Sequence, residues 1–304
     1  MKGSTMAIKK VTLLGAGTMG LQIGLIVAAN GFEVCVFDPF DAAIDNAKKR
    51  LGRLADKLTS CGRISKTQAR QGQARILFTT DAGIAGKEAD FISESVPEDP
   101  KLKSRVFSEF NRICPSHTIF TTNTSTLVPS MMAEATGRPD RFAALHFHDC
   151  RLTNVVDIMP HPGTSELTLG VIRDFCAAID QFPIELQREQ HGYVFNTMLS
   201  EWFASALGLA SGGVAKVEDI DRAWMGIMRS LVGPFGIMDS IGLGTVHKVT
   251  DYWAKKKQDE KSRQNAAFLK AFVDRGDLGI KTGKGFYTYP DPEFADPAFL
   301  KGIH

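Results

Sequence analysis

A glycine-rich turn held between a strand and a helix constrains this chain most. Gly15-Ala16-Gly17-Thr18-Met19-Gly20 follows a short apolar run, Val11 to Leu14, and opens a segment, Met19 to Ala29, with helical apolar spacing. Alone, GxGxxG is a weak pattern. Placed after a strand, before a helix and inside a βαβ unit, it is a dinucleotide-binding fingerprint. A second strand-like run, Glu33 to Asp38, ends on an acid 23 positions after Gly15. Gly15 permits the tight turn, Gly17 lets the backbone approach a pyrophosphate, and Gly20 lets helix and strand pack closely. The free N–H groups and dipole of the helix start then favour that anion, so the whole turn, including Ala16, Thr18 and Met19, is expected to cradle it. Asp38 would hydrogen-bond the adenosine ribose and repel the 2′-phosphate of NADP. Residues 39–47 hold no Lys or Arg to welcome that phosphate, so NAD is the expected cofactor. The competing readings are FAD, and a glycine-rich turn that binds nothing.

The first half of the chain alternates strand-like and helix-like segments. After Asp38, Asp41 can cap a helix in which Ile44, Ala47, Leu51, Leu54 and Leu58 form one buried stripe. Strand-like runs follow at 75–79, 90–93, 118–121 and 142–146, and Leu102, Val106, Phe110 and Ile113 mark an amphipathic helix after Pro100. Such alternation predicts an α/β fold, a Rossmann-type doubly wound sheet with helices on both faces. From Tyr193 the pattern turns almost wholly helical, with helices predicted over 193–210, 217–228, 245–255 and 261–275. The boundary is placed near Gln190-His191-Gly192, giving an NAD-binding domain over 1–190 and an all-α C-terminal domain over 191–304. The first C-terminal helix is apolar on most sides, so it must be buried in a core or between subunits.

Composition excludes several classes. The 304 residues carry a formal charge of +2, so no strong field argues for nucleic acid or an anionic membrane. Five scattered cysteines without a CxxC fit a reduced, cytoplasmic protein. Residues 9–32 superficially resemble a signal peptide or anchor. Gly15, Gly17, Gly20, Gly24 and Gln22 interrupt the run, and that reading leaves the following strand and its acid unexplained.

Several further motifs stand in order: Ser93-Glu-Ser-Val-Pro-Glu98 with Lys103, Thr122-Asn-Thr-Ser-Thr126, Arg141-Phe-Ala-Ala-Leu-His-Phe147, Gly192-Tyr-Val-Phe-Asn196, Gly233-Pro-Phe235 and Lys281-Thr-Gly-Lys-Gly-Phe-Tyr287. With Gly15–Gly20 they make nearly the whole chain resemble the 3-hydroxyacyl-CoA dehydrogenase family, including its similar diketoreductase and gulonate dehydrogenase branches. The resemblance implies that His146 is the general base in alcohol oxidation and the acid in the reverse direction, a role suited to an imidazole. It implies an orienting acid, here matched by Asp157, 11 positions on. Ser125 and Asn196 match the polar pair around the substrate oxygen. Glu98, Lys103 and Lys281 match cofactor-contacting positions, Lys103 also meeting the CoA. The helical domain would contribute to the substrate cleft and to a homodimer.

The chain departs from the family at two places. Asp157 replaces a glutamate, and His146-Phe-His-Asp-Cys150 stands where the family usually reads His-Phe-Phe-Asn-Pro. Asp149 thus replaces an asparagine that contacts the nicotinamide end, and an ionised carboxylate there can only accept hydrogen bonds. His146, His148, Asp149 and Cys150 also look like a metal cluster, but no second His/Cys cluster completes a site and none is expected. Lys49, Arg53 and Lys57, four apart on one helix, either meet CoA phosphates or form a solvated face. Three functions compete: NAD-linked oxidation of a 3-hydroxyacyl thioester; the same chemistry on CoA-free 3-oxo acids, diketones or sugar acids, with Arg151 pairing a free carboxylate; and a non-enzymatic NAD-binding protein.

Overall fold

The computed structural model describes residues 8–301. They divide into two compact units, one ending at Val194 and one starting at Phe195. The first unit opens with β1 (Lys10–Leu14), α1 (Thr18–Ala29) and β2 (Glu33–Phe37). It continues through α2 (Asp41–Ser60), α3 (Lys66–Ala74), β3 (Ile76–Thr79), α4 (Ala82–Gly86), β4 (Phe91–Glu94), α5 (Pro100–Ile113) and β5 (Ile119–Thr122). It closes with β6 (Phe142–Phe147), β7 (Val155–Met159), α6 (Glu166–Ala178) and β8 (Phe182–Glu185).

The strands form one eight-stranded sheet in the order β3-β2-β1-β4-β5-β6-β7-β8. The strand order reverses between β1 and β4, which is where a doubly wound sheet opens a crevice at its carboxyl edge. Leu14, Glu94, Thr122 and Ala144 stand in register across β1, β4, β5 and β6. The turn after Leu14 and the residues after Ala144 therefore leave the same edge.

The sheet is buried on both faces, so adjacent residues serve different cores. Leu13 packs with α1, α2 and α6 residues such as Ile23, Leu51 and Phe175, whereas Leu14 packs with Phe107 and Phe110 of α5. Two strands escape the sequence pattern. β7 runs antiparallel to β6, and β8 pairs parallel to β7.

Two expectations need correction. Asp41 is not the cap of α2; Phe40 holds that position and Asp41 sits in the first turn, where its charge still favours the helix dipole. The buried face of α5 is Lys103, Phe107 and Phe110, one position away from the apolar stripe at Leu102 and Val106, which are only half-buried.

The second unit contains α7 (Phe195–Ser211), α8 (Val217–Met228), α9 (Pro234–Ile241), α10 (Leu243–Lys257) and α11 (Glu260–Asp274). Its core gathers Phe203, Leu207, Met225, Phe235, Met238 and Leu269 around Tyr287. The apolar helix α7 buries only one side in this chain. Phe203, Ala206 and Leu207 are inside, while Phe195, Met198 and Leu209 are exposed.

Two buried aspartates organise this unit and explain two of its motifs. Asp221 accepts hydrogen bonds from Phe235 N, Gly236 N and the Tyr287 hydroxyl. Asp239 accepts from Phe286 N, Tyr287 N and the Tyr289 hydroxyl. Burial pushes Asp221 up to about 6, with its three donors pulling the other way. Asp221→Ala strands three buried donors at once, so it is expected to cost the unit about 3–5 kcal/mol. Urea unfolding reads this directly, and an unchanged midpoint would refute it.

Candidate active site

The glycine turn is built for a ligand rather than for protein packing alone. Gly15 has φ +108°, and a Cβ there would lie 2.8 Å from Ser95 O. A Cβ on Gly20 would lie 2.0 Å from Gly15 O, so the helix can start here only with glycine. Gly17 is different: its φ is −68°, and an added Cβ would meet nothing within 4 Å. Neither backbone strain nor packing requires glycine at that position. The open space lies over the start of α1, which has no side-chain cap and no acid in its first turn. Uncapped N–H groups facing an open cradle fit a pyrophosphate.

Around this turn, Asp38 sits just past β2 and accepts hydrogen bonds from Ala16 N (3.0 Å) and Phe40 N (3.2 Å). Its carboxylate is thereby fixed beside the turn, half-buried, where a ribose would bind. Arg50 of α2, which belongs to none of the sequence motifs, donates from Nη2 to Ala16 O at 3.0 Å and braces the same turn. Gly17→Val should leave the fold intact while placing a branched side chain in the cradle. NADH binding is expected to weaken more than about tenfold, over ~1.4 kcal/mol. Equal affinity in a fluorescence titration would contradict this use of the space.

On the far side of the switch point, β6 and β7 place His146 directly opposite Asp157. His146 Nδ1 lies 3.2 Å from Asp157 Oδ2, and both residues are buried, 6% and 1% exposed. The shorter aspartate therefore reaches the ring, because direct cross-strand pairing removes the distance that an extra methylene would span. An ionised carboxylate only accepts, so the contact assigns the proton to Nδ1 and leaves Nε2 as the lone-pair nitrogen. Burial holds His146 below the ordinary histidine value; Asp157 and Glu98 work against that lowering, and His148 adds to it. Burial pushes Asp157 upward, but hydrogen bonds from two imidazoles outweigh it, and the carboxyl stays below the ordinary aspartate value. A neutral imidazole backed by a carboxylate is a base ready to take a proton.

The second imidazole is not expected in this role from sequence. His148 Nε2 lies 3.0 Å from the same Asp157 Oδ2. The three side chains bring ligand-type atoms within 4.8 Å of one another, a spacing that the two hydrogen bonds already account for. Tyr193 is also new: its buried ring lies 4.8 Å from that of His146. It belongs to the Gly192–Asn196 motif, which is the signal that could have found it.

The end of β6 is pinned by its neighbours. Asn123 Oδ1 accepts from Phe147 N at 2.7 Å, and Gln22 of α1 accepts from Cys150 N at 2.9 Å. Gln22 thus ties the helix of the glycine turn to the loop after His146. In that loop Asp149 forms a forked ion pair with Arg151, whose hydrogen bonds hold the carboxyl below its ordinary value, with burial opposing them. Arg151 is accordingly engaged by its own chain rather than presented to a substrate carboxylate. Asp149 also accepts from Arg151 N at 3.0 Å.

Ser125 lies half-buried in the loop after β5, and Glu98 holds that loop from both sides. Thr124 and Thr126 each donate a hydroxyl to Glu98 Oε1, and Thr126 N approaches it at 3.3 Å. Lys103, a residue expected at the cofactor, is engaged by the protein's own groups. It is 1% exposed, and its ammonium donates to Glu94 Oε1 (2.7 Å) and Val96 O (3.2 Å) and pairs with Glu98 Oε2 (3.3 Å). Its role here is to brace two acids. Burial raises the Glu94 carboxyl while Lys103 and Thr122 oppose the shift. Asn196 stands half-buried in the first turn of α7, and Lys281 is exposed in a short turn at 280–282, both in the second unit. Lys49, Arg53 and Lys57 are exposed on α2.

Known proteins share both units. Residues 10–190 match the family model for the 3-hydroxyacyl-CoA dehydrogenase NAD-binding domain, and residues 192–289 match that for the C-terminal domain. The chain is 32% identical over 288 residues to the mitochondrial hydroxyacyl-coenzyme A dehydrogenase of Rattus norvegicus, covering 93% of this chain and 91% of the relative. It is 28% identical over 285 residues to a 3-hydroxybutyryl-CoA dehydrogenase of Mycobacterium tuberculosis, covering 93% and 99%. A solved diketoreductase, described as acting on dicarbonyl compounds, superposes with a TM-score of 0.87 at 36% identity over 93% of this chain and 100% of that one.

Proposed function

Because the chain belongs to the 3-hydroxyacyl-CoA dehydrogenase family of NAD-dependent oxidoreductases, we propose that it moves hydride reversibly between NAD and C3 of a 3-hydroxyacyl-CoA such as 3-hydroxybutyryl-CoA. The observation that carries the chemistry is the buried His146 Nδ1–Asp157 Oδ2 contact, which leaves Nε2 as the proton acceptor. When bound, NAD supplies the hydride acceptor. His146 takes the hydroxyl proton at Nε2, and Asp157 stabilises the imidazolium that results. In the reducing direction the same nitrogen returns the proton. Ser125 is assigned to hold the C3 oxygen, an alignment in which about 1 Å of error can cost on the order of 10²-fold in rate. The exposure of Lys49, Arg53 and Lys57 on α2 fits both contact with CoA phosphates and a solvated charged face.

A second reading keeps the proton chemistry and removes CoA, so that the substrate is a small dicarbonyl compound. The similarity to the diketoreductase favours it. Arg151 does not add to it, since it already pairs with Asp149. Loss of NADH absorbance with acetoacetyl-CoA, acetoacetate and simple diketones separates the two. Faster turnover of acetoacetyl-CoA supports the first reading; faster turnover of a diketone transfers the assignment to the second; consumption by neither ends both.

We further assign the protein to a homodimer, supported by the exposed apolar residues Met198 and Leu209 of α7. Sedimentation as a single chain at micromolar concentration would refute it. The free thiols of Cys35, Cys61, Cys114, Cys150 and Cys176 support a reducing, cytoplasmic location, and no helix among the described residues is long and apolar enough to cross a membrane.

A further inference from the structure

We propose that His148 is a positioning residue for proton transfer, which divides one carboxylate oxygen between two imidazoles and so weakens the hold of Asp157 on a protonated His146. The proposal rests on the reading of His146 as the proton-transfer group. Its basis is geometric. Asp157 Oδ2 receives His146 Nδ1 at 3.2 Å and His148 Nε2 at 3.0 Å, and the two rings meet edge to face at 4.6 Å between centroids. His148 arises where the resembling family usually carries phenylalanine, a side chain that cannot share the acid.

Two donors on one oxygen each receive less of its charge. Both imidazoles also cannot be protonated together without placing like charges a few ångströms apart. Each effect disfavours the imidazolium of His146 and keeps its ring a free base. Charged and titratable groups approach this ring from several elements. Asp157 faces His146 from β7, and His148 from the loop after β6. Glu98 acts from the loop after β4, tied to Lys103 of α5, which also holds Glu94 of β4. Tyr193 lies against the ring from the segment after β8. Among these, burial and His148 lower the His146 pKa, while Asp157 and Glu98 raise it.

The test compares wild type with His148→Phe and His148→Gln. His148→Phe removes both the competing donor and the second imidazole. His148→Gln keeps an amide donor but no titrating ring. Oxidation needs neutral His146, so kcat/KM rises with pH through its titration. In His148→Phe that acidic limb is expected to move up by about one pH unit, the scale of one hydrogen bond to a charged group. His148→Gln should move less. NMR titration of the labelled His146 ring, read without substrate, should move with the limb. A limb and a ring titration that stay put, or move down, in both variants would overturn the proposal. Failure of the underlying reading looks different: the wild type then has no acidic limb, or His146→Ala retains it, whatever the His148 variants do.

Discussion

His146→Ala is expected to lower kcat for alcohol oxidation by about 10²–10⁴-fold while leaving NADH affinity unchanged. The loss falls on the chemical step because His146 lies at the end of β6, three strands along the sheet from the glycine turn that fits the dinucleotide. Its sign with pH follows from protonation. Oxidation uses the neutral ring and gains rate as pH rises through the His146 titration; reduction uses the imidazolium and loses rate over the same range. Burial places that titration below the ordinary histidine value, so oxidation should persist into mildly acidic solution. Near-normal kcat in the alanine variant, measured by NADH absorbance, would remove His146 from the reaction.

Asp157→Asn should have an effect of the same order, roughly 10²-fold or more in kcat. The asparagine is nearly the same size, so packing between β7 and its neighbours is preserved. Its amide can present a donor where both imidazoles now find an acceptor. His146 then loses the partner that keeps its proton on Nδ1, and the nitrogen needed as base carries a proton for part of the time. His148 loses the same acceptor. The split between kcat and KM is informative: a fall in kcat with little change in KM fits a group that acts through His146, whereas a rise in KM alone would point to a substrate contact. Full activity in the asparagine variant would contradict the shared-carboxylate arrangement.

The parts of this site that local sequence encodes are legible in the chain itself. The glycine turn, Asp38 and the alternation of strands and helices depend on residues close in the chain, and the doubly wound sheet follows from them. The partnership of His146 with Asp157 is suggested by the family resemblance, but its reach is not. It depends on the antiparallel pairing of β7, a five-residue strand with the polar Asp157 at its centre and a proline directly after it. Lys103 shows why the α5 stripe is misplaced by one position. A lysine is buried here because Glu94 on a neighbouring strand, together with Glu98, neutralises it, and helical periodicity carries no trace of those partners. His148 escapes for a similar reason: period two places it on the His146 face, but sharing one oxygen is a property of β7. The exposed side of α7 is hidden by the opposite effect, since composition records apolar residues and not which of them this chain itself covers.

The most direct test is a crystal structure of the protein with NADH and a 3-oxoacyl ligand. The ligand's C3 oxygen is expected within hydrogen-bond distance of His146 Nε2, about 3 Å, with the nicotinamide ring against the same carbon. A nicotinamide bound away from His146, or a C3 oxygen held by other groups with His146 Nε2 facing protein, would contradict it.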